Sequence, residues 1–142
     1  DRLTLAIKPQ KIYMGEKDYQ QLYLVKNYIE RYHNSKIILC RTVRNNSNLA
    51  LSSRNLLLNK TEFIKAEIIT NNIMSFKKKL VKNIDIKKLL FKKKEELIKK
   101  FNIKIDYFEI RNKLNLKKTN WNKNSKLFVA YYIGKVRLID NF

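Results

Sequence analysis

The chain has 142 residues, of which 44% are apolar, so it can form one ordinary domain or two small packed units with a real core. It contains no run of about eighteen apolar residues and no charged-then-apolar leader, so we expect neither a membrane span nor secretion. The single Cys40 cannot form an internal disulfide, and a cytoplasmic protein is expected. The start at Asp1 and not at Met indicates a fragment, and a processed or trimmed chain would start in the same way.

The net charge of +20 has two explanations. Taken alone, it indicates a polyanionic partner such as RNA, DNA or an anionic membrane surface. However, the abundant Lys, Asn and Ile residues are those encoded by A- and T-rich codons, and a compositional drift of the genome gives the same excess. The Lys residues concentrate at positions 77–104, where they interrupt a helical apolar pattern without interleaved stacking aromatics. This distribution favours a solvated helical face, and a nucleic-acid-binding module remains the alternative.

The first third of the chain reads as a strand, turn, helix, strand unit, which is the building block of parallel α/β sheets. Its predicted elements are a helix at residues 2–7 stopped by Pro9, a strand at 11–14, a sharp turn at Gly15, a helix at 17–32 and a strand at 36–43. The predicted apolar face of the long helix comprises Leu22, Val25, Ile29 and Tyr32.

The remainder predicts two helices on a small antiparallel sheet. A polar loop at 44–48 and the segment 49–55 precede a helix opened by a capping box of Asn59 and Glu62. Asp85 caps the second helix. The inner faces are Ile64, Ile68, Ile73, Phe76 and Leu80 on the first helix and Ile86, Leu90, Leu97 and Phe101 on the second. The predicted strands are 103–111, 127–133 and 136–139, with a loop at 117–126 and a hairpin turn at Gly134-Lys135.

The first chemically informative segment, residues 15–21, lies at the strand-to-helix turn where ligands of open α/β sheets bind. Lys17 in a first helical turn opposes the positive pole of the helix dipole, and a bound phosphate would resolve this conflict. Gly15 would allow close backbone approach, Asp18 could accept from sugar hydroxyls, and Gln21 could bind a small polar substrate. Alternatively, Glu16 and Asp18 merely cap the helix and Lys17 is solvated.

The second informative segment, residues 49–55, contains two adjacent hydroxyls and a guanidinium. Ser52, Ser53 and Arg54 form a plausible phosphate clamp, because Arg offers a planar fork of donors and the serines offer short ones. Alternatively, the segment is a loop with helix-capping residues.

These segments belong to a set of blocks that resembles one family. The blocks GEKDYQQL, TVR, LALSSRN and VAYYIGKVRLIDN are similar, in order and in spacing, to those of pantothenate synthetases. The resemblance runs over essentially the whole chain and is weak through the Lys-rich helices. It implies an α/β fold in which residues 1–43 are the C-terminal part of a Rossmann-like nucleotidyltransferase domain and residues 44–142 form a C-terminal lid of α+β type. The chain would then be the C-terminal half of the enzyme.

The resemblance implies an ATP-dependent ligase that joins pantoate to β-alanine. Pantoate carboxylate attacks the α-phosphate of ATP to give pantoyl adenylate and pyrophosphate, and the amine of β-alanine then displaces AMP. It implies ATP contacts by Gly15, Lys17, Asp18, Val43, Leu51, Ser52, Ser53 and Arg54, and a pantoate contact by Gln21. Of these, Lys17, Ser52, Ser53 and Arg54 would act on the phosphates during catalysis, and the last three lie on a segment that would close over the nucleotide. A cytoplasmic homodimer is implied for the full-length enzyme.

The sequence departs from the family pattern in two ways. Asn48 stands where the family commonly has Gly, and we expect the loop to survive because Asn tolerates a left-handed backbone. The family's HxGH motif, second pantoate glutamine and magnesium-associated carboxylate belong to the other half, so we expect Mg²⁺ ligands there and no activity from the chain alone. His33 lacks that context and is interpreted as an ordinary surface residue. A degenerate relative that binds nucleotide without ligation has no support, since the matched positions are intact.

Overall fold

A computed structural model describes residues 1–80 and 85–142, which form two compact units, residues 1–42 and 43–142. Lys82, part of the Lys-rich stretch, lies outside the described residues. The units are described separately below. The functions predicted for the two parts of the chain, a nucleotidyltransferase portion and a lid, stay predictions.

The first unit is a strand, helix, strand arrangement with a short helix before it. Its elements are α1 (Arg2–Ile7), β1 (Lys11–Gly15), α2 (Tyr19–Tyr32) and β2 (Lys36–Cys40). The two strands pair in parallel, from Lys11 opposite Lys36 to Gly15 opposite Cys40. Parallel neighbours need a crossover, and α2 provides it. The predicted parallel α/β unit is therefore confirmed.

Three boundaries in this unit were predicted wrongly. The first strand was expected to end at residue 14, but β1 includes Gly15. We expected the second strand to reach residue 43, but β2 ends at Cys40 because Gly15, its last partner, is where β1 ends. The helix was expected from residue 17, but a separate 3₁₀ turn occupies Glu16–Asp18 and α2 begins at Tyr19. Gly15 itself makes no sharp turn. Its φ of −68° and ψ of 134° are ordinary extended values, and the chain reverses in the 3₁₀ turn instead.

The buried face of α2 is narrower than predicted. Leu22 and Ile29 are buried, whereas Tyr32 is 62% exposed. His33, which we interpreted as an ordinary surface residue, is largely covered: its side chain is 10% exposed, and its Nε2 lies 2.9 Å from Asp1 Oδ1. It ends α2 in an extended conformation with its backbone N–H donating to the Ile29 carbonyl, so its role here is local and structural.

The second unit holds the main core. It comprises a 3₁₀ turn (Ser53–Leu57), α3 (Lys60–Lys78), α4 (Ile86–Phe101), β3 (Lys104–Asn112), β4 (Ser125–Ile133) and β5 (Val136–Asn141). The strands form an antiparallel sheet in the order β3-β4-β5, and α3 packs on β4 while α4 packs on β3. The two predicted helices on a three-stranded antiparallel sheet are thus confirmed.

Both predicted helix caps are present. Asn59 Oδ1 accepts from the Glu62 backbone N–H at 2.9 Å, and Glu62 Oε2 accepts from the Asn59 N–H at 3.0 Å, which completes a reciprocal capping box. Asp85 Oδ1 accepts from the Lys88 N–H at 3.1 Å. These bonds satisfy backbone donors that have no partner inside the helix.

The predicted inner face of α3 was partly wrong. Ile64 and Ile68 are 47% and 45% exposed. The buried residues of this helix are Ala66, Ile69, Thr70 and Ile73. Small Ala66 allows a close approach, and a side-chain hydrogen bond joins Thr70 to the buried Tyr131 of β4. A prediction that considers only large apolar residues misses this face, because it includes a small alanine and a threonine whose hydroxyl is hydrogen-bonded.

The hairpin turn between β4 and β5 favours glycine. Gly134 has a φ of +55°, and a Cβ placed on it would lie 2.9 Å from Glu62 Oε1. The turn therefore packs directly against the capping box of α3, which places the first turn of the helix at the end of the hairpin.

Candidate functional site

Residues 15–21 leave the carboxyl edge of the parallel sheet, as predicted. Gly15 is the last residue of β1, Lys17 and Asp18 lie in the 3₁₀ turn, and Gln21 lies in the first turn of α2. The structure therefore brings these four residues into one turn at the sheet edge where open α/β folds bind ligands.

The electrostatic argument for Lys17 changes with this geometry. Lys17 precedes α2 and is separated from it by Asp18, whose φ of −90° and ψ of 51° are not helical. Its conflict with the helix dipole is consequently weaker than expected. Asp18 is exposed and makes no side-chain capping bond to α2, so the alternative that it serves as a helix cap lacks support.

Gly15 is not required by the fold. A Cβ built on it meets nothing within 4 Å, and its backbone conformation suits any residue. The surrounding space is open at the position where the resemblance implies close approach of a ribose.

The phenol of Tyr19, the first residue of α2, has a raised pKa. Burial raises the pKa, and the negative charge of Glu16 raises it further.

Val43 and Leu51 are brought together by a short backbone ladder in the second unit. The Leu51 N–H donates to the Val43 carbonyl at 3.0 Å, and the Asn45 N–H donates to the Leu49 carbonyl at 3.0 Å. The side chains of Val43 and Leu51 are 67% and 52% exposed, whereas Leu49 is buried. Two apolar side chains thus stand in solvent side by side on a paired backbone. We name residues 43–51 the paired loop.

Asn48 forms the tip of the paired loop in a left-handed conformation, with φ of 67°. Asn48 thus adopts the left-handed backbone that we expected it to tolerate. Its Nδ2 donates to Asn71 Oδ1 at 2.9 Å, and Asn71 Nδ2 donates in turn to the Ser47 carbonyl at 3.1 Å. Asn45 Oδ1 accepts from the Ser47 and Leu49 backbone N–H groups. A network of amides therefore fixes the tip against α3.

Ser52, Ser53 and Arg54 follow directly, and the structure gives them different roles. Ser52 caps the 3₁₀ turn, since its Oγ accepts from the Arg54 backbone N–H at 3.2 Å. Ser53 and Arg54 are exposed. Arg54 Nη1 donates to the Arg137 carbonyl of β5 at 3.2 Å. A guanidinium has five N–H donors, so this single bond orients Arg54 and leaves capacity for an anion. The alternative that these residues cap a helix therefore applies to Ser52, which caps a 3₁₀ turn, and does not apply to Arg54.

Three residues outside the predicted set of site residues support this segment. Arg44 makes a bidentate ion pair with Asp140, with Nη1 to Oδ2 at 2.7 Å and Nη2 to Oδ1 at 2.8 Å. Asn55 is buried, and its Nδ2 donates to the Ala50 carbonyl at 3.1 Å. The sequence held one signal for Asp140: Asp is depleted in strands and is almost never fully buried unless it is paired, so its place directly after the apolar Leu138 and Ile139 calls for a partner.

The described residues provide no obvious place for a metal ion. Across positions 1–80 and 85–142, no group of three or more His, Cys, Asp or Glu side chains could hold one. We assign no residue of this part of the chain to the Mg²⁺ that the resemblance implies. Among the helices described, none has the length and apolar character needed to cross a membrane.

A groove of about 760 Å³ lies elsewhere in the second unit, between α4, β3 and the residues after β3. It is lined by Phe91, Phe108, Glu109, Lys118 and their neighbours. None of the predicted site residues lines this groove, so it is not the predicted ATP site.

Comparison with known proteins assigns the family. The family model described as pantoate-beta-alanine ligase matches residues 1–142. The chain belongs to the pantoate-beta-alanine ligase family. The resemblance seen in the sequence is therefore confirmed.

Curated relatives and solved structures of this ligase family agree. The pantothenate synthetase of Francisella tularensis subsp. novicida is 39% identical over 146 residues, which cover 99% of this chain and 46% of that protein. That of Flavobacterium psychrophilum is 34% identical over 144 residues, covering 99% and 51%. The crystal structure of the Thermus thermophilus enzyme superposes with a TM-score of 0.87 at 30% identity, covering 99% of this chain and 52% of that one, which confirms the predicted fold class.

One solved relative carries ligands. The Francisella tularensis pantoate-beta-alanine ligase, complexed with beta-gamma ATP and beta-alanine, matches with a TM-score of 0.70 at 34% identity, covering 99% of this chain and 46% of that one. The chain spans about half the length of the curated relatives it matches.

Proposed function

We propose that this chain is the C-terminal half of a cytoplasmic pantoate-β-alanine ligase that uses ATP, and that the full-length protein is a homodimer. The observation that carries the proposal is the family match over the whole of residues 1–142. The relative crystallised with an ATP analogue and beta-alanine supports both substrates.

The proposed reaction has two steps. A carboxylate oxygen of pantoate attacks the α-phosphorus of ATP, forming an acyl phosphate bond and releasing pyrophosphate. The amine of β-alanine then attacks the acyl carbon, the C–O bond to AMP breaks, and the amine loses a proton as the amide forms. The protein forms no covalent bond to either substrate, so rate enhancement comes from positioning and from neutralising phosphate charge.

The residues of the first unit are proposed to act on three parts of the substrates. Lys17 supplies positive charge to the ATP phosphates. Gly15 and Asp18 contact the ribose, the first through open space beside its backbone and the second through an exposed carboxylate. Gln21 binds pantoate, for which an amide that both donates and accepts is suited.

The residues of the second unit are proposed to hold adenine and phosphate. Val43 and Leu51, adjacent and both exposed, flank the adenine, with Val43 acting largely through its backbone. Ser52, Ser53 and Arg54 donate to phosphate oxygens. Arg54 is a better candidate than Arg44, because Arg44 is neutralised by Asp140 whereas the Arg54 guanidinium is held by a neutral carbonyl.

The alternative is a basic module that binds nucleic acid through the Lys-rich helices. Lys87, Lys88 and Lys92 of α4 are exposed and could contact a polyanion. The two functions predict opposite responses to substitution, and a single set of variants separates them.

The test uses the full-length protein that contains this chain. Lys17→Met and Arg54→Lys should each lower kcat/KM for ATP by about 100-fold or more, the effect typical of removing one donor to a developing charge. The triple replacement of Lys87, Lys88 and Lys92 by Gln should change it by less than about twofold, because exposed charges are screened. The ligase proposal fails if the triple variant loses function and Arg54→Lys does not. A steep salt dependence of RNA or DNA binding, lost only in the triple variant, would establish the alternative.

The chain alone is expected to be inactive. Residues 1–142 contain no HxGH motif, and the only histidine, His33, bonds to Asp1. Purified residues 1–142 given pantoate, β-alanine and ATP should form no pantothenate above the rate without enzyme. Turnover by the isolated chain would contradict the division of the site between two halves.

A further inference from the structure

Arg44 is linked to the C-terminal strand more extensively than a surface arginine would be. In addition to the bidentate pair with Asp140, its Nη1 donates to the Asn48 carbonyl at 2.9 Å and its Nη2 donates to the Asn141 carbonyl at 3.3 Å. The guanidinium also lies 4.9 Å from the centre of the Phe142 ring. The planar fork of arginine allows these contacts at once, and a lysine could not reproduce them.

The partner of Arg44 is held as firmly. Asp140 is 7% exposed, and its Oδ1 also accepts from the Asn141 backbone N–H at 2.8 Å. A buried carboxylate is costly unless it is paired and hydrogen-bonded, and Asp140 meets both conditions. The pair therefore has one well-defined geometry.

The ion pair with Asp140 also fixes the paired loop, because the backbone of Arg44 is part of that loop. Arg44 bridges to Ala50 across the loop and stands next to Val43, whose carbonyl accepts from the Leu51 N–H. The side chain of Arg44 also fixes the tip, because it binds the Asn48 carbonyl. One guanidinium thus joins the base of the loop, its tip and β5.

Strand β5 also holds the segment that follows. The 3₁₀ turn Ser53–Leu57 packs on β5, and Arg54 donates to the Arg137 carbonyl there. Strand β5 therefore holds in place both the exposed pair Val43 and Leu51 and the exposed guanidinium of Arg54.

We propose that Arg44 and Asp140 are positioning residues for ATP: their ion pair locks the paired loop to β5 and so presents Val43 and Leu51 to the adenine in a fixed arrangement. The proposal rests on the proposed ligase function. It differs from a purely structural role because it predicts an effect confined to the nucleotide.

The chain contains a matched control. Arg111 pairs with Glu109, with Nη2 to Oε1 at 2.6 Å, and its Nη1 donates to the carbonyl of Leu116, a left-handed loop residue like Asn48. Both arginines therefore combine a carboxylate partner with the carbonyl of a loop tip. Arg111→Lys perturbs the same kind of contact at residues to which no site role is assigned.

The experiment compares Arg44→Lys, Asp140→Asn and Arg111→Lys in the full-length protein. The first two should raise KM for ATP by about tenfold or more, the range expected when a positioning group is misplaced, with KM for β-alanine within about twofold of wild type. Exchange of the Leu51 amide hydrogen should become faster in both, because its bond to Val43 loses its support. Arg111→Lys should change neither quantity. If Arg44→Lys or Asp140→Asn does not fold, Asp140→Glu serves in its place, since it keeps the negative charge but moves the carboxylate by one methylene and so disturbs the bidentate geometry.

The outcomes separate the two proposals. Ligation by the wild type with an unchanged KM for ATP in the variants would overturn the positioning role and leave the ligase function intact. An equal rise of both KM values, or the same rise in Arg111→Lys, would show a general structural effect and also overturn it. A wild type that neither ligates nor binds ATP would remove the proposed function, and the positioning proposal with it.

Discussion

Replacing Gly134 by Ala should destabilise the second unit, for two reasons that can be separated. The φ of +55° is unfavourable for any residue with a Cβ, at a cost of about 1 kcal/mol. The new Cβ would also lie 2.9 Å from Glu62 Oε1, so the Glu62 side chain must move. Moving it weakens its bond to the Asn59 N–H, for which about 1 kcal/mol is a typical loss. The expected total is about 2 kcal/mol.

The assay is urea unfolding followed by the fluorescence of Trp121, the only tryptophan, which packs against the core of this unit. In a Glu62→Ala background the same glycine replacement should cost only about 1 kcal/mol, because the steric contribution is gone. Gly15→Ala is the control, and because Gly15 lies in the first unit its unfolding is followed by far-ultraviolet circular dichroism and not by Trp121. With φ of −68° and open space, this replacement should be neutral or stabilise by up to about 1 kcal/mol. A cost below about 0.5 kcal/mol for Gly134→Ala, or a larger cost for Gly15→Ala, would refute this account of the two glycines.

Two further predictions concern the second unit. Ile69→Ala should destabilise it by about 2–5 kcal/mol, whereas Ile68→Ala, one residue away and 45% exposed, should cost less than about 1 kcal/mol; equal costs in urea unfolding would contradict the observed face of α3. Burial raises the pKa of Glu109, but hydrogen bonds from Arg111 and Lys118 outweigh it, and the net pKa is lowered. The Glu109 carboxylate of the unfolded chain therefore takes up a proton at higher pH than that of the folded chain. The stabilisation is present above the ordinary Glu pKa of 4.5 and is lost as pH falls through the lower pKa of the folded state. Glu109→Gln should make the free energy of unfolding less dependent on pH in this acidic range. An unchanged pH dependence would show that Glu109 does not contribute to it.

Much of the architecture could be predicted because local signals agreed with the fold. The capping box at Asn59 and Glu62 needs only residues three apart, and the turn at Gly134 needs only a glycine between two apolar runs. Strand ends were harder: β2 stops at Cys40 because its neighbour stops at Gly15, which is a property of the pairing and not of the apolar run that continues to Val43.

The candidate site was predictable only as short segments. Gly15 to Gln21 and Leu49 to Asn55 became specific through their joint order, and the structure then distinguished residues within them, such as the capping Ser52 from the exposed Arg54. The pair of Arg44 and Asp140 could not be predicted from periodicity, since the partners are 96 positions apart and meet only through the sheet. Contacts of that separation depend on tertiary packing, which local sequence patterns do not encode.

The central claim, ligation through an acyl adenylate, is tested most directly by following an oxygen atom. The full-length protein would be given ATP, β-alanine and pantoate labelled with oxygen-18 in its carboxylate, and the AMP would be analysed by mass spectrometry. The proposed mechanism predicts that one labelled oxygen appears in the AMP phosphate for each pantothenate formed, because the bond that breaks in the second step lies between the acyl carbon and that oxygen. Unlabelled AMP, or ADP and phosphate in place of AMP and pyrophosphate, would contradict it.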